Sequence, residues 1–166
     1  MEGKEISTSS IVKDALAAGK KVFVPYIHKI ESEKSSKSLM DMLQLASWED
    51  FQALDKDKWG IPSLPSTSLS IRENVFGGYG LSQGEEVQGS SNVAELKGNA
   101  LDLIIVPAVA FDHHLRRLGH GKGYYDTFFS RCREEVAKGT LKRMPALRTY
   151  LPTSDAFNSS FSGLLC

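Results

Sequence analysis

The chain has 166 residues, enough for one domain with a core, and its 20 basic side chains balance 20 acidic ones. That balance removes any bulk electrostatic case for nucleic acid or a membrane surface as partner. Only 2 cysteines occur, Cys132 and Cys166, which supports neither a disulfide framework nor a zinc site and fits bland thiols in a reducing compartment. No apolar run is long enough to span a bilayer, and the N-terminus lacks the basic-then-apolar pattern of a signal peptide. The expectation is a cytoplasmic chain, with a mitochondrial form if a longer product carries a transit peptide.

Ser7 to Ser10 offers several N-caps for a helix built on Ile11, Val12, Ala15 and Leu16, with Gly19 as its stop. Val22-Phe23-Val24 follows as a strand. The span from Ile27 to Ser38 is polar and is expected to cross the surface, while Leu39 to Leu45, with Met40 and Met42, is expected to be another strand. Ser47-Trp48-Glu49-Asp50 has the Ser-x-x-Asp form of a capping box for a short helix through Leu54. In Trp59-Gly60-Ile61-Pro62-Ser63-Leu64-Pro65 the prolines resist regular structure, so an ordered loop is predicted. From Ser66 to Gly98 the chain is rich in Ser and Gly without a clear period, which predicts an insertion or a lid. Gly77 to Gly80 within it contains no basic residue and is predicted to be a flexible turn.

Leu101 to Val106 is a short apolar run with β-branched residues, suited to a strand buried on both faces of a parallel sheet and ended by Pro107. Tyr124 to Val136 carries Tyr125, Phe128, Phe129 and Cys132 at three- and four-residue spacings, which predicts an amphipathic helix. Between the two lies Arg116-Arg117-Leu118-Gly119-His120-Gly121-Lys122-Gly123-Tyr124-Tyr125-Asp126. Its alternating glycines can turn backbone N–H groups toward an anion, and Arg116, Arg117 and Lys122 supply fixed positive charge. The carboxylate of Asp126 in the first helical turn is a hard oxygen ligand for a cation. A strand, a glycine-rich turn and a helix N-terminus together make an anion site at the carboxyl edge of an α/β sheet.

Spacing excludes two familiar phosphate motifs. Gly121-Lys122 is followed by Gly123 rather than Ser or Thr, so no Walker loop is present, and strict alternation of glycines excludes the dinucleotide fingerprint. The bland alternative is a mobile glycine-rich hairpin kept solvated by its charges. His120, between two loop glycines, can meet phosphate or substrate or can be a solvated loop residue. Adjacent His113 and His114 on an extended segment would point to opposite faces, so they are taken as loop polar residues rather than ligands of one metal. Asp112 is either a supporting acid or, the favoured reading, a turn-former.

Val106-Pro107-Ala108-Val109-Ala110-Phe111-Asp112 followed by Arg117 to Asp126 resembles the signature of the 5-formyltetrahydrofolate cyclo-ligase family. Glu5-Ile6-Ser7-Thr8, the helix Ile11 to Ala18, the stretch Gly19 to Pro25, and Trp59-Gly60-Ile61-Pro62 resemble further blocks of that family in order. The resemblance runs from about Glu5 to about Ala137. It implies an α/β fold with a three-layer, Rossmann-like, mainly parallel sheet related to the sugar-isomerase and CoA-transferase group. Relative to the family the chain is expected to be truncated at both ends, lacking a basic N-terminal helix and first strand. Residues 1–143 would form a single α/β domain with 66–98 as insertion, and 144–166 a divergent, poorly ordered tail that includes Asp155.

The resemblance implies ATP as co-substrate and Mg²⁺ as metal, with reduced folate as the other small-molecule substrate, no nucleic acid or membrane partner, and a monomeric state. Arg117 and Lys122 would be catalytic, neutralising the transferring phosphoryl group. Arg117, Leu118, Gly119, His120, Gly121, Lys122, Gly123, Tyr124 and Tyr125 would bind ATP, and Asp126 would hold magnesium. Glu5, Trp59, His120 and Tyr124 would contact the folate; Glu5 reads equally as a surface acid and Trp59 as a core residue. Two alternatives stand beside the cyclo-ligase: a non-catalytic nucleotide- or folate-binding remnant of that family, and a sugar-phosphate enzyme. The second would need an acid/base pair near the loop, and none is convincing.

Overall fold

A computed structural model describes residues 8–32, 35–56, 61–82, 101–114, 116–119 and 121–149. Helix α1 (Ser9–Ala17) starts after Thr8, which makes no side-chain cap bond, and stops at Gly19, whose φ of +69° a helix cannot continue through. Strands β1 (Val22–Ser32) and β2 (Ser35–Leu45) then pair antiparallel, with Val22 opposite Leu45 and Ser32 opposite Ser35. The expectation of a surface crossing over Ile27 to Ser38 is thereby corrected. Along β1 the less exposed Tyr26, His28 and Ile30 alternate with the exposed Pro25, Ile27 and Lys29, the period of a strand with one covered face.

Strand β2 is the centre of the molecule. Met40 and Met42 on one face join a core of Val75, Ile104, Val106, Phe128, Phe129, Cys132 and Leu141. Leu43 and Leu45 on the other face join Leu54, Leu64 and Leu69. Burial on both faces explains why this strand reads as a continuous apolar run. Phe128 is fully buried, and its removal from water stabilises the fold by roughly 2–3 kcal/mol.

Helix α2 (Trp48–Gln52) begins with a variant of its capping box: Ser47 Oγ accepts from the Asp50 N–H at 3.2 Å, while Asp50 Oδ2 accepts from the N–H of Ala46, one residue before the N-cap, at 2.9 Å. Pro62, expected from the sequence in a loop, lies in the two-residue strand β4 (Pro62–Ser63) antiparallel to β3 (Asp55–Lys56). An edge position of this kind spares proline the donor it lacks. Ser66 to Ser82 is likewise not structureless: a 3₁₀ helix covers Ser66–Ile71, and Glu73 to Val75 runs along the outer edge of β2. There the Gln44 N–H donates to Glu73 O at 3.0 Å, and the Val75 N–H donates to Met42 O at 3.1 Å. The Gly77 to Gly80 segment is a turn, with positive φ at Gly77, Gly78 and Gly80. The remainder of the expected insertion, 83–98, lies outside the described residues.

Strand β5 (Leu103–Ile105) pairs parallel with β8 (Ala146–Arg148), and between them come β6 (Ala110–Phe111), β7 (Arg117–Leu118) and helix α3 (Tyr124–Ala137). Leu103 is exposed while Ile104 is buried, so β5 is covered on one face rather than both. Ordered pairing at β8 and the buried Pro145 reach into the segment expected to be a poorly ordered tail.

The chain is α/β, but the described strands form four two-stranded ladders, of which only β5–β8 is parallel. A mainly parallel sheet is not what these residues build, because β1–β2, β3–β4 and β6–β7 are joined by short connections that permit only antiparallel pairing. Among the described residues no helix is long and apolar enough to cross a membrane.

Candidate functional site

The glycine-rich segment is held between β5 and α3. Val106 follows the strand directly, with its N–H donating to Arg148 O at 2.8 Å and its carbonyl accepting from Thr149 Oγ1 at 2.9 Å. After Pro107, β6 and β7 form a small hairpin whose turn is organised by Asp112. Asp112 Oδ1 accepts from the N–H groups of His114 and Arg116 at 2.9 Å each, and Oδ2 accepts from Arg116 Nε at 2.6 Å. These bonds, the Arg116 N–H foremost, hold the carboxyl below the usual range. Asp112 is thus the turn-former it was expected to be. The rings of His113 and His114 lie 4.0 Å apart, because the segment is a turn and not the extended stretch that would separate them. Among the described residues no group of three or more His, Cys, Asp or Glu could hold a metal ion.

Arg117 folds back toward the loop. Its Nη1 donates to Pro107 O at 3.1 Å, its Nη2 lies 3.3 Å from Asp126 Oδ1, and its guanidinium is 5.7 Å from the Tyr125 ring centre. A Cβ at Gly119 would sit 2.7 Å from Arg117 Nη1, so glycine there lets the arginine cross the backbone. Gly121 and Gly123 have φ of +75° and +70°, with open space where a Cβ would stand. Their requirement is torsional rather than steric. Gly123 is the N-cap of α3 and offers no side-chain acceptor, so the first N–H groups of the helix receive no cap bond from it.

Around this uncapped helix start, Lys122 and Asp126 are exposed, and Leu118 is 60 % exposed. Tyr124 and Tyr125 lean partly buried on the core, and burial raises the Tyr125 phenol above its ordinary range against the opposing charge of Arg117. The same hairpin borders an open groove of about 310 Å³ lined by Ala110, Asp112, Arg116, Arg117 and Leu118. Arg117, Leu118, Gly119, Gly121, Lys122, Gly123, Tyr124, Tyr125 and Asp126 are therefore gathered in one region. Glu5, Trp59 and His120 lie outside the described residues.

A single exposed carboxylate beside a basic loop suits Mg²⁺, which prefers oxygen donors, retains several waters and takes most of its remaining ligands from phosphates. Asp126 meets that requirement; it does not form an all-protein cage.

One polar cluster has no counterpart among the sequence-based expectations. Asp41, fully buried in β2, is met by His28 Nε2 at 3.0 Å, Arg131 Nη2 at 3.0 Å, and the N–H and Oγ of Ser82 at 2.7 and 2.9 Å. The available signal was a lone carboxylate between Met40 and Met42, since a charge in a buried strand demands partners.

The description "5-formyltetrahydrofolate cyclo-ligase family" matches residues 1–149, beyond the Ala137 limit of the resemblance. A 5-formyltetrahydrofolate cyclo-ligase of Mus musculus is 32% identical over 128 residues, covering 77% of this chain and 49% of its own length. Proteins described as probable 5-formyltetrahydrofolate cyclo-ligases are 34% identical over 140 residues in Caenorhabditis elegans and 33% over 131 residues in Schizosaccharomyces pombe. Those alignments cover 84% and 79% of this chain, and 54% and 48% of the relatives. The chain spans about half the length of the curated relatives it matches.

Proposed function

Because this chain belongs to the 5-formyltetrahydrofolate cyclo-ligase family, we propose that it acts in the ATP-dependent conversion of 5-formyltetrahydrofolate to 5,10-methenyltetrahydrofolate, releasing ADP and phosphate. The formyl oxygen attacks the γ-phosphorus of ATP as the bond to ADP breaks, giving an imidate-like phosphate. N10 then closes the ring and phosphate leaves. Such a reaction depends on charge neutralisation and in-line positioning more than on a protein nucleophile.

The observation that carries this reading is the pair of positive-φ glycines, 121 and 123, leading into an uncapped helix with Arg117 and Lys122 beside it. Backbone N–H groups at a helix start attract phosphate oxygens, and the two cations oppose the charge that develops on the transferring group. Magnesium at Asp126 would supply further neutralisation of the phosphates. This reading assigns His120 and Tyr124 to the same ligands, and Glu5 and Trp59 to the aminopyrimidine edge and the rings of the folate.

The test is the appearance of methenyl-folate absorbance from 5-formyltetrahydrofolate, ATP and Mg²⁺, with ADP measured in parallel. Lys122→Ala is expected to abolish turnover while leaving the melting temperature unchanged, because the side chain is exposed. Turnover unchanged by that substitution would sink the loop assignment. Nucleotide binding without any product would replace catalysis with the binding-only alternative.

A further inference from the structure

The cluster around Asp41 lies away from the loop in sequence but is joined to it through α3. Arg131 stands two turns into that helix, about 10 Å along its axis from Tyr124. Its Nη1 donates to Met40 O at 2.8 Å, and its Nη2 reaches Ser82 Oγ at 2.8 Å and Asp41 Oδ1 at 3.0 Å. Met40 O lies on the same edge of β2 that pairs with Glu73 and Val75, so the guanidinium continues that ladder where the backbone partner stops. The guanidinium also lies 4.5 Å from the centre of the Phe76 ring, which packs at 5.2 Å on Phe128 of α3.

These contacts fix two degrees of freedom that apolar packing leaves soft. Side chains such as Phe128 and Phe129 resist separation of α3 from β2, yet a hydrophobic face tolerates small slides and rotations because it is non-directional. Charged hydrogen bonds to a backbone carbonyl and a buried carboxylate set axial position and rotation. Asp41 is in turn immobilised by His28 on β1 and by Ser82, so the anchor is tied to two further segments. Any slide of α3 would displace Gly123 and the N–H groups that follow it.

We propose that Asp41 and Arg131 are positioning residues for the phosphate loop, setting the place of the α3 N-terminus without touching substrate. The proposal rests on the nucleotide reading of that loop, but its first test does not require turnover. In Arg131→Met, amide hydrogen exchange at Gly121 to Asp126 should quicken about tenfold or more, since a subglobal opening is made easier there. Leu64→Ala, a cavity in the other core cluster with a comparable loss of melting temperature, should leave those amides unchanged relative to wild type.

In the cyclisation assay Arg131→Met should raise KM for ATP about tenfold or more, as a displaced binding group does, while Leu64→Ala keeps the wild-type value. Arg131→Lys should move both readouts in the same direction by less, because one ammonium cannot serve three acceptors in the guanidinium's geometry; it also serves if Arg131→Met does not fold. Equal exchange in the Arg131 and Leu64 variants overturns the positioning role. Faster exchange in Arg131→Met from a wild-type chain that neither binds nor turns over nucleotide would instead overturn the functional reading and leave the mechanical link standing.

Discussion

Arg117 and Asp126 face each other across the glycine loop, Nη2 to Oδ1 at 3.3 Å, with Arg117 largely covered and Asp126 76% exposed. The proposed ligands carry opposite charges to these two groups, so each side chain holds the place of the other's partner. With Asp126 standing in solvent, the ion pair by itself adds little to stability. Arg117→Ala also removes the bond to Pro107 O and the contact with the Tyr125 ring, so it is expected to lower the melting temperature modestly while weakening ATP binding about tenfold or more, as loss of a phosphate-facing cation does. Asp126→Asn should act differently, raising the Mg²⁺ concentration needed for half-maximal rate. Isothermal titration with ATP and a magnesium titration of the rate separate the two effects, and identical responses would contradict the division of roles.

Gly123 makes a second case in which torsion and space can be told apart. Its φ is +70°, and nothing stands within 4 Å of the place a Cβ would occupy. Gly123→Ala should cost about 1–2 kcal/mol from backbone conformation alone, and Gly123→Asn less, since Asn visits this region more readily. Urea unfolding measures both. An equal cost for Ala and Asn would show that something other than φ governs the position.

Asp50 and Arg72 join α2 to the segment beyond the 3₁₀ helix through two bonds of 2.7 Å, with Arg72 buried and Asp50 21% exposed. The Arg72 hydrogen bonds hold the Asp50 carboxyl below its ordinary range. A depressed carboxyl contributes stability that is complete above the unfolded pKa, near 4, and is lost as pH falls through the folded value. Asp50→Asn should thus cost about 2 kcal/mol at neutral pH and much less in strong acid. Unfolding free energies from pH 7 down to pH 2 would show the wild-type and variant curves converging; parallel curves would refute the linkage.

Cys132 is 2% exposed, and burial pushes its thiol up to about 11. Thiolate is the reactive form, so this group should be inert while the chain is folded. In a Cys166→Ser background, a disulfide reagent at pH 8 is expected to modify Cys132 only after denaturant is added. Prompt labelling of the native chain would show that α3 opens locally at this point.

Elements defined by local chemistry were legible in the sequence. Tyr124 to Val136 was readable from apolar spacing, and α3 ends one residue later; Ser47 and Asp50 announced α2 because a capping box is written in adjacent residues. Two kinds of element were hidden. The outer half of the β1–β2 hairpin is polar, and its alternation of covered and exposed residues does not coincide with an alternation of apolar and polar ones. The Ser- and Gly-rich stretch to Ser82 owes its order to distant partners: Arg72 Nη1 donates to Gln44 O at 2.9 Å, and the Ser82 N–H donates to Asp41 Oδ2 at 2.7 Å. Periodicity cannot register either bond. For the site, the glycines and cations of the loop were visible because they are contiguous, whereas Asp41, His28, Ser82 and Arg131 meet only after folding.

The closed shell of bonds around Asp41 has a meaning for inheritance as well as for mechanics. A drift from Asp41 to Leu would leave the Arg131 guanidinium bonded to Met40 O and Ser82 Oγ but without its counter-charge, and a drift from Arg131 to Leu would leave the buried carboxylate without the guanidinium. Each step alone costs stability that the paired change avoids, so positions 41 and 131 are expected to change together rather than singly.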